Sequence, residues 1–324
     1  MVGVAISLAL LALLLASVDL RELGEQLRRT RWGWTLLAAT LGPIGLWVRA
    51  QRWRYLFPPR SDPPGLVPAM MIGYMANNLL PLRAGEVVRV YVVARRWRRG
   101  FWTTLATLIV ERVLDSLVLV LVLAVLVLLI PVPPVFQWTA VALLAIDFGA
   151  MAVLGFLAAA PGTCRRLLER LTRRWPRVER RVAGIFETFA RGLEGIRTRH
   201  HLLPLLVWTV IVWVVPALTV WTMLQAVNLD LPWIAAWTVL VFVGLGISIP
   251  SAPGYVGVFH YAVVLALGIF DVPRPASLGY AIVLHASQIV PVTLVGWIFM
   301  LREHVSLGEA TRARPAGADL SSPR

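Results

Sequence analysis

Asn77-Asn78-Leu79-Leu80-Pro81-Leu82-Arg83-Ala84-Gly85-Glu86 sets Pro, Gly, amide and charged groups inside otherwise apolar sequence. Ser248-Ile249-Pro250-Ser251-Ala252-Pro253-Gly254-Tyr255-Val256-Gly257 does the same in the second half of the chain. In hydrocarbon a freed backbone N–H or C=O costs several kcal/mol, so non-helical backbone survives at depth only where protein or a water-filled cavity receives it. Paired interruptions in the two halves of a membrane chain point to a binding site between them. The sequence therefore reads as an all-α transmembrane bundle built around two opposed, re-entrant or broken helical hairpins. Such a chain is suited to a polar or charged cargo at or within a bilayer.

Composition agrees. A hydrophobic fraction of 58% and a mean hydropathy of +0.75 stand well above the roughly 45–50% apolar content of soluble domains. The net charge of +14 rests on 31 basic residues, every one of them Arg. Arg suits bidentate phosphate contacts and positive cytoplasmic loops. Nucleic-acid binding, the rival explanation for basicity, does not fit so apolar a chain. Cys164 is the single cysteine and forms no internal disulfide. Val2–Val18 is apolar, but no basic stretch precedes it and no small-x-small site closes it, so a retained first helix is expected rather than a cleaved signal.

A full span needs roughly 20 apolar residues. Six stretches qualify: Val2–Val18, Trp34–Ala50, Thr103–Ile130, Trp138–Ala160, Leu202–Val227 and Ala276–Leu301. Leu66–Leu82 is too short and too interrupted, and reads as the first arm of a hairpin, with Glu86–Arg99 returning as a basic stretch to the surface. Trp233–Phe270 gives two apolar arms about the second break. The integral unit covers 1–302, including a basic amphipathic segment at 161–201, and 303–324 reads as a polar, disordered tail. Within 165–199, Val178, Val182, Ile185, Phe186, Phe189 and Leu193 form an apolar stripe, which suits a helix lying on anionic headgroups.

Orientation follows from Arg. The 83–99, 165–199 and 302–324 segments belong together in the cytoplasm. The Arg count alone leaves the N-terminus tied between the two sides. Placing both termini in the cytoplasm makes the two hairpins enter from opposite faces and meet near the midplane, an inverted arrangement.

In order along the chain stand Arg49-x-x-Arg52-Trp53, Asn77-Asn78-Leu79-Leu80-Pro81-x-Arg83-x-Gly85-Glu86-x-x-Arg89, Glu111-Arg112-x-x-Asp115 and Pro250-x-x-Pro253-Gly254-x-x-Gly257. The ordered set resembles the lysylphosphatidylglycerol synthase transmembrane-region family, the flippase-like domain, over nearly the whole chain. The resemblance implies a multi-pass protein of a bacterial or archaeal cell membrane. In bifunctional members the domain moves an aminoacylated phospholipid made by a C-terminal soluble synthase. No such synthase follows here, so lysyl-lipid synthesis is not expected and any synthase would be a separate partner. A phospholipid or a polyprenyl-phosphate-type lipid is the expected ligand.

The residues carry their own readings. Arg83, Glu86 and Arg89 are spaced to share a helix face. They could grip a lipid phosphate and an amine, or form a structural ion-pair set. Asn77 and Asn78 could bind a headgroup or cap the turn. Glu111, Arg112 and Asp115 sit inside a span, where ionisable groups are costly and face the bundle interior. They read as a cargo or proton site, or as an internal salt-bridge lock to Arg49 or Arg83; the adjacent Arg112 favours the lock. Arg49, Arg52 and Arg54 with Trp47 and Trp53 read as an interfacial anchor. Around Pro253, Gly254 and Gly257 an N–H nest could hold an anion. His260 stands where the family pattern leads one to expect an acid, and His285 and Gln288 could share its cavity.

No P-loop, metal-ligand spacing or GxSxG elbow is present, so neither a cofactor nor ATP-driven movement is expected from these residues. Two functions remain: translocation of a lipid headgroup through a polar cavity between the hairpins, and a membrane-embedded lipid acceptor or enzyme for aminoacyl or glycosyl transfer.

Overall fold

The computed structural model describes residues 8–13, 20–59, 61, 63–80, 83–97, 101–132, 134–172, 174–248 and 251–305. Pro81, Leu82, Ile249 and Pro250, most of the Val2–Val18 span and the tail from 306 lie outside the described residues; residues 8–13 are helical. Among the described residues there is no strand. The helices are α1 (Leu20–Arg28), α2 (Trp32–Arg54), α3 (Leu66–Leu79), α4 (Ala84–Trp97), α5 (Phe101–Leu129), α6 (Pro134–Ala159) and α7 (Pro161–Thr172). They continue as α8 (Pro176–Gly192), α9 (Glu194–Arg197), α10 (Arg199–Ala226), α11 (Trp233–Gly246), α12 (Val258–Gly268) and α13 (Arg274–Arg302).

Four of these, α5, α6, α10 and α13, are long and apolar enough to cross a membrane. At 1.5 Å per residue the 23 residues of α2 also reach about the 30 Å of a hydrocarbon core. The chain is thus a polytopic helical membrane bundle. Pro43 lies inside α2, Pro204 and Pro216 inside α10 and Pro291 inside α13. Spanning helices tolerate Pro because neighbouring helices satisfy the carbonyls it frees.

Both interrupted stretches become pairs of short helices. The arms α3 and α4 have 14 residues each, while α11 has 14 and α12 has 11, all near or below 21 Å and too short to span alone. Leu80 is extended, with φ −107° and ψ 145°, as the residue before a proline is pushed to be. Arg83 follows at φ 53°. The first hairpin closes tightly because Gly85 sits on Gly73: a Cβ on Gly85 would lie 1.9 Å from the Gly73 carbonyl oxygen. In the second, Pro253–Tyr255 form a 3₁₀ turn with Gly254 at φ 66°, and Gly257 at φ 85° precedes α12.

Two main cores organise the bundle. One joins the ends of α2 and α6 to the first hairpin, α5 and the start of α10, through Trp53, Met70, Met75, Val88 and Val110. The other surrounds the second hairpin with the end of α10 and the first half of α13, through Met223, Phe242, Val263 and Tyr280; the Tyr280 hydroxyl donates to the Val220 carbonyl at 2.9 Å.

Three expectations change. Glu86–Arg99 does not simply return to the surface: within α4, Val88, Arg89, Val90, Val92 and Val93 are buried, because this arm is wedged between α3 and α5. The basic segment is docked as well as amphipathic. Thr103 donates to the Thr188 carbonyl at 2.9 Å, Gly192 lies on the Thr103 carbonyl and Gly195 on that of Leu56, and Leu193 is fully buried. Packing also continues past 302, since the Val305 amide donates to the Met300 carbonyl at 3.3 Å and its side chain joins the first core.

Candidate functional site

Charges from three helices meet beside the first hairpin. Glu111, on α5, accepts a two-pronged bond from Arg89 of α4 at 2.8 and 3.3 Å and another from its neighbour Arg112 at 2.7 Å; Arg52 of α2 approaches it at 3.6 Å. Asp115, one turn on, pairs with Arg52 at 2.6 Å, Arg49 at 3.1 Å and Arg112 at 3.1 Å. Arg112 in turn reaches Glu86 of α4 at 3.6 Å. Four guanidinium groups thus face three carboxylates, a cluster with positive excess.

Exposure is graded across this cluster. The side chains of Arg52 and Glu111 are 0% exposed and Arg89 2%, whereas Glu86 is 24% and Arg112 32% exposed. The closed end is a lock. Arg89 lies 4.7 Å above the Trp53 ring, and the Trp53 indole N–H donates to Thr107 at 3.0 Å. Buried ions persist only with such close pairing. The open end is formed by Glu86 and Arg112, the most exposed members of the network.

That open end adjoins the contact between the hairpins. Arg83 donates to the Ile247 carbonyl at 2.6 Å, tying the first tip to the end of α11. Asn78 donates its amide to Thr293 of α13 at 3.0 Å. The Asn77 Oδ1 and Ser251 Oγ atoms, one from each break, are buried with no hydrogen-bond partner among the described residues. Behind the second tip, His285 bonds the Gly254 carbonyl at 2.8 Å and stacks on Phe259 at 4.3 Å between centroids. A carbonyl only accepts, so His285 Nε2 carries a proton. The Gly257 amide donates to His260 Nδ1 at 3.4 Å, and the two imidazoles stand 4.9 Å apart. Gln288 turns elsewhere and donates to the Ala38 carbonyl at 3.3 Å.

The residues singled out from sequence fall into three groups. Asn77, Asn78, Arg83 and Glu86 gather at the first tip. Glu111, Arg112 and Asp115 form the ionic network, with Arg89 locked in its closed end. Pro253, Gly254, Gly257 and His260 build the second tip. Glu86 and Arg89 do share the face of α4 that meets α5, but Arg83 stands before the helix and serves the other hairpin instead. Arg49 joins the lock; Arg83 does not. The reading of Arg52 and Trp53 as an interfacial anchor is overturned, since both are fully buried. The signal for Arg52 was present in the charge balance: two carboxylates inside one span, with only Arg112 beside them, require further cations from a neighbouring helix.

A helical membrane bundle with an ion-pair core beside the first of two broken hairpins defines an integral membrane protein with an internal polar site. The family model for the lysylphosphatidylglycerol synthase TM region matches residues 1–296, and the chain belongs to that family. It is similar to Glycosyltransferase AglD of Haloferax volcanii, 26% identical over an alignment 348 positions long that covers 95% of this chain and 55% of that protein. The chain thus spans about half the length of that relative. It is also similar to a UPF0104 membrane protein of Methanothermobacter thermautotrophicus, 25% identical with 78% of this chain and 80% of that protein covered. A UPF0104 membrane protein of Methanocaldococcus jannaschii is 22% identical, with 68% and 91% covered. No solved structure matches.

Proposed function

We propose that this protein translocates lipid headgroups, as a flippase or scramblase, for a phospholipid or a polyprenyl-phosphate-type lipid. The observation that carries this reading is the accessible pair Glu86–Arg112 opening from a positively biased ionic network at the point where Arg83 joins the two hairpin tips. Dragging a charged headgroup through hydrocarbon unaided is very costly. A path lined by Arg83, Arg112, Glu86 and the Asn77–Asn78 amides lowers that barrier while the chains stay in lipid. The Gly254–Gly257 turn, braced by His285 and His260, then forms the opposite gate. Arg89, Glu111 and Asp115 hold the path in shape and set its charge. In this reading the hairpins enter from opposite faces of the cell membrane, both termini are cytoplasmic, and the 165–199 segment lies on the anionic leaflet.

The test is dithionite quenching of fluorescent phospholipids in proteoliposomes. Quenching beyond the outer-leaflet half is expected with the wild type, and its loss is expected with Glu86→Gln and with Arg83→Ala, both still monodisperse on gel filtration. Wild-type activity in both well-folded variants would refute the site.

A second reading is favoured by one relative's name. The Haloferax volcanii protein is called a glycosyltransferase, and this chain matches 55% of its length. The same cavity could then present a lipid acceptor to a glycosyl or aminoacyl donor enzyme. Transfer of label from a radioactive sugar or aminoacyl donor to lipid, dependent on this protein and unaccompanied by translocation, would select that reading.

A further inference from the structure

The face of α5 that carries the ionic network does not end with it. Glu111, Asp115, Val118, Val122, Val125 and Leu129 follow one another at spacings of four, three, four, three and four, which keeps them on one side of the helix. The charged residues come first and the apolar ones after. Between this stripe and α11 runs an apolar groove of ≈ 460 Å³, walled by Val118, Val122, Val125 and Leu129 on one side and Trp233 and Trp237 on the other. Val118 to Leu129 covers about 16 Å at 1.5 Å per residue.

The second wall runs in the opposite direction. Gly244, near the end of α11, lies against Leu119, whereas Ile234 and Trp237, near its start, cluster with Leu126. Both walls therefore have their polar end at the same place. On α5 this is Arg112 and Asp115, and on α11 it is the Ile247 carbonyl that accepts from Arg83. An amphiphile laid along the groove would have its head at the positively biased cluster and its tail among Val, Leu and Trp side chains.

We propose that this groove seats one hydrocarbon chain of a lipid whose phosphate-bearing headgroup occupies the Glu86–Arg112 mouth. The proposal rests on the translocation reading for the identity of the headgroup site, and adds the place where the tail is held. The occupant is an anionic phosphate lipid rather than a neutral one, because the adjoining cluster has guanidinium in excess. Tail seating explains how a headgroup path can stay short: the chain remains in contact with the lipid phase while the head moves past the hairpin tips.

Photo-crosslinking in nanodiscs tests this without relying on translocation. The probes are phosphatidylglycerol and diacylglycerol, each carrying the same diazirine-labelled chain. Adducts of the phosphatidylglycerol probe should concentrate on 118–129 and 233–237, with about tenfold preference over the diacylglycerol probe, the discrimination that a charge-assisted contact to phosphate supplies. Val125→Trp should remove these adducts while leaving those on the lipid-facing Val141 and Phe148 of α6 unchanged. Val125 is half exposed, so the larger side chain is tolerated by the fold. Equal labelling by the two probes, or adducts spread evenly over α5 and α6, would overturn the proposal; the wild-type comparison alone suffices. Selective groove labelling without dithionite-accessible lipid movement would refute translocation and leave the groove standing. Lipid movement with even labelling would do the reverse.

Discussion

Replacing Glu111 by Gln removes one negative charge from the closed end of the ionic network and changes little else in shape. Its carboxylate holds Arg89 at 2.8 and 3.3 Å and Arg112 at 2.7 Å, with Arg52 at 3.6 Å. Arg112 keeps Asp115 and Glu86, and Arg52 keeps Asp115. Arg89 keeps no other carboxylate among the described residues, and it is 2% exposed. Breaking a fully buried pair by removing one partner costs about 3–5 kcal/mol, chiefly because the remaining charge is uncompensated. That is more than about a hundredfold in the unfolding equilibrium. Detergent-titration unfolding followed by circular dichroism measures it. If the cause is the stranded guanidinium, adding Arg89→Met to Glu111→Gln should restore a large part of the loss, because the buried charge goes too. Arg89→Met alone should cost less than Glu111→Gln, since Glu111 retains Arg52 and Arg112. A Glu111→Gln variant within about 0.5 kcal/mol of wild type, or a double mutant with purely additive losses, would refute this account of the lock.

Two further outcomes follow from the hairpins. Gly85→Ala puts a methyl group 1.9 Å from the Gly73 carbonyl oxygen and 2.6 Å from Asn77 Oδ1, and overpacking against backbone should cost about 3 kcal/mol or more; Gly149→Ala, with nothing within 4 Å, should not lower the melting temperature in detergent. Equal melting of the two variants would contradict the close approach of α3 and α4. His285→Phe retains the stack on Phe259 but strands the buried Gly254 carbonyl, a loss of about 1–3 kcal/mol. Its mark is faster hydrogen exchange at the 252–257 amides, and unchanged protection there would show that the imidazole does not brace the turn.

The chain's class was legible from sequence because bilayer thickness and backbone satisfaction act locally. Apolar length decides which segments can span, and Pro–Gly–polar breaks within such segments force non-helical backbone. Both hairpins were therefore visible in Asn77–Glu86 and Ser248–Gly257, as was the internal character of Glu111, Arg112 and Asp115, whose charges are too costly to face lipid. Arg112, and Arg49 as one of two candidates, were legible as their partners; Arg52 and Arg89 were not. Arg49, Arg52 and Arg54 carry the same side chain at the same end of one helix. Only the packing of α2 against α3 and α10 decides that Arg52 is sealed within the ionic cluster. The meeting of the hairpins was likewise beyond the sequence. Arg83 and Ile247 are separated by 164 positions, and a carbonyl acceptor has no side-chain signature. His285 carries no local sign that it will bond Gly254. Sequence fixes cost, in lipid as in water; tertiary structure alone chooses the partner that offsets it, because pairing depends on distances between segments that no local pattern encodes.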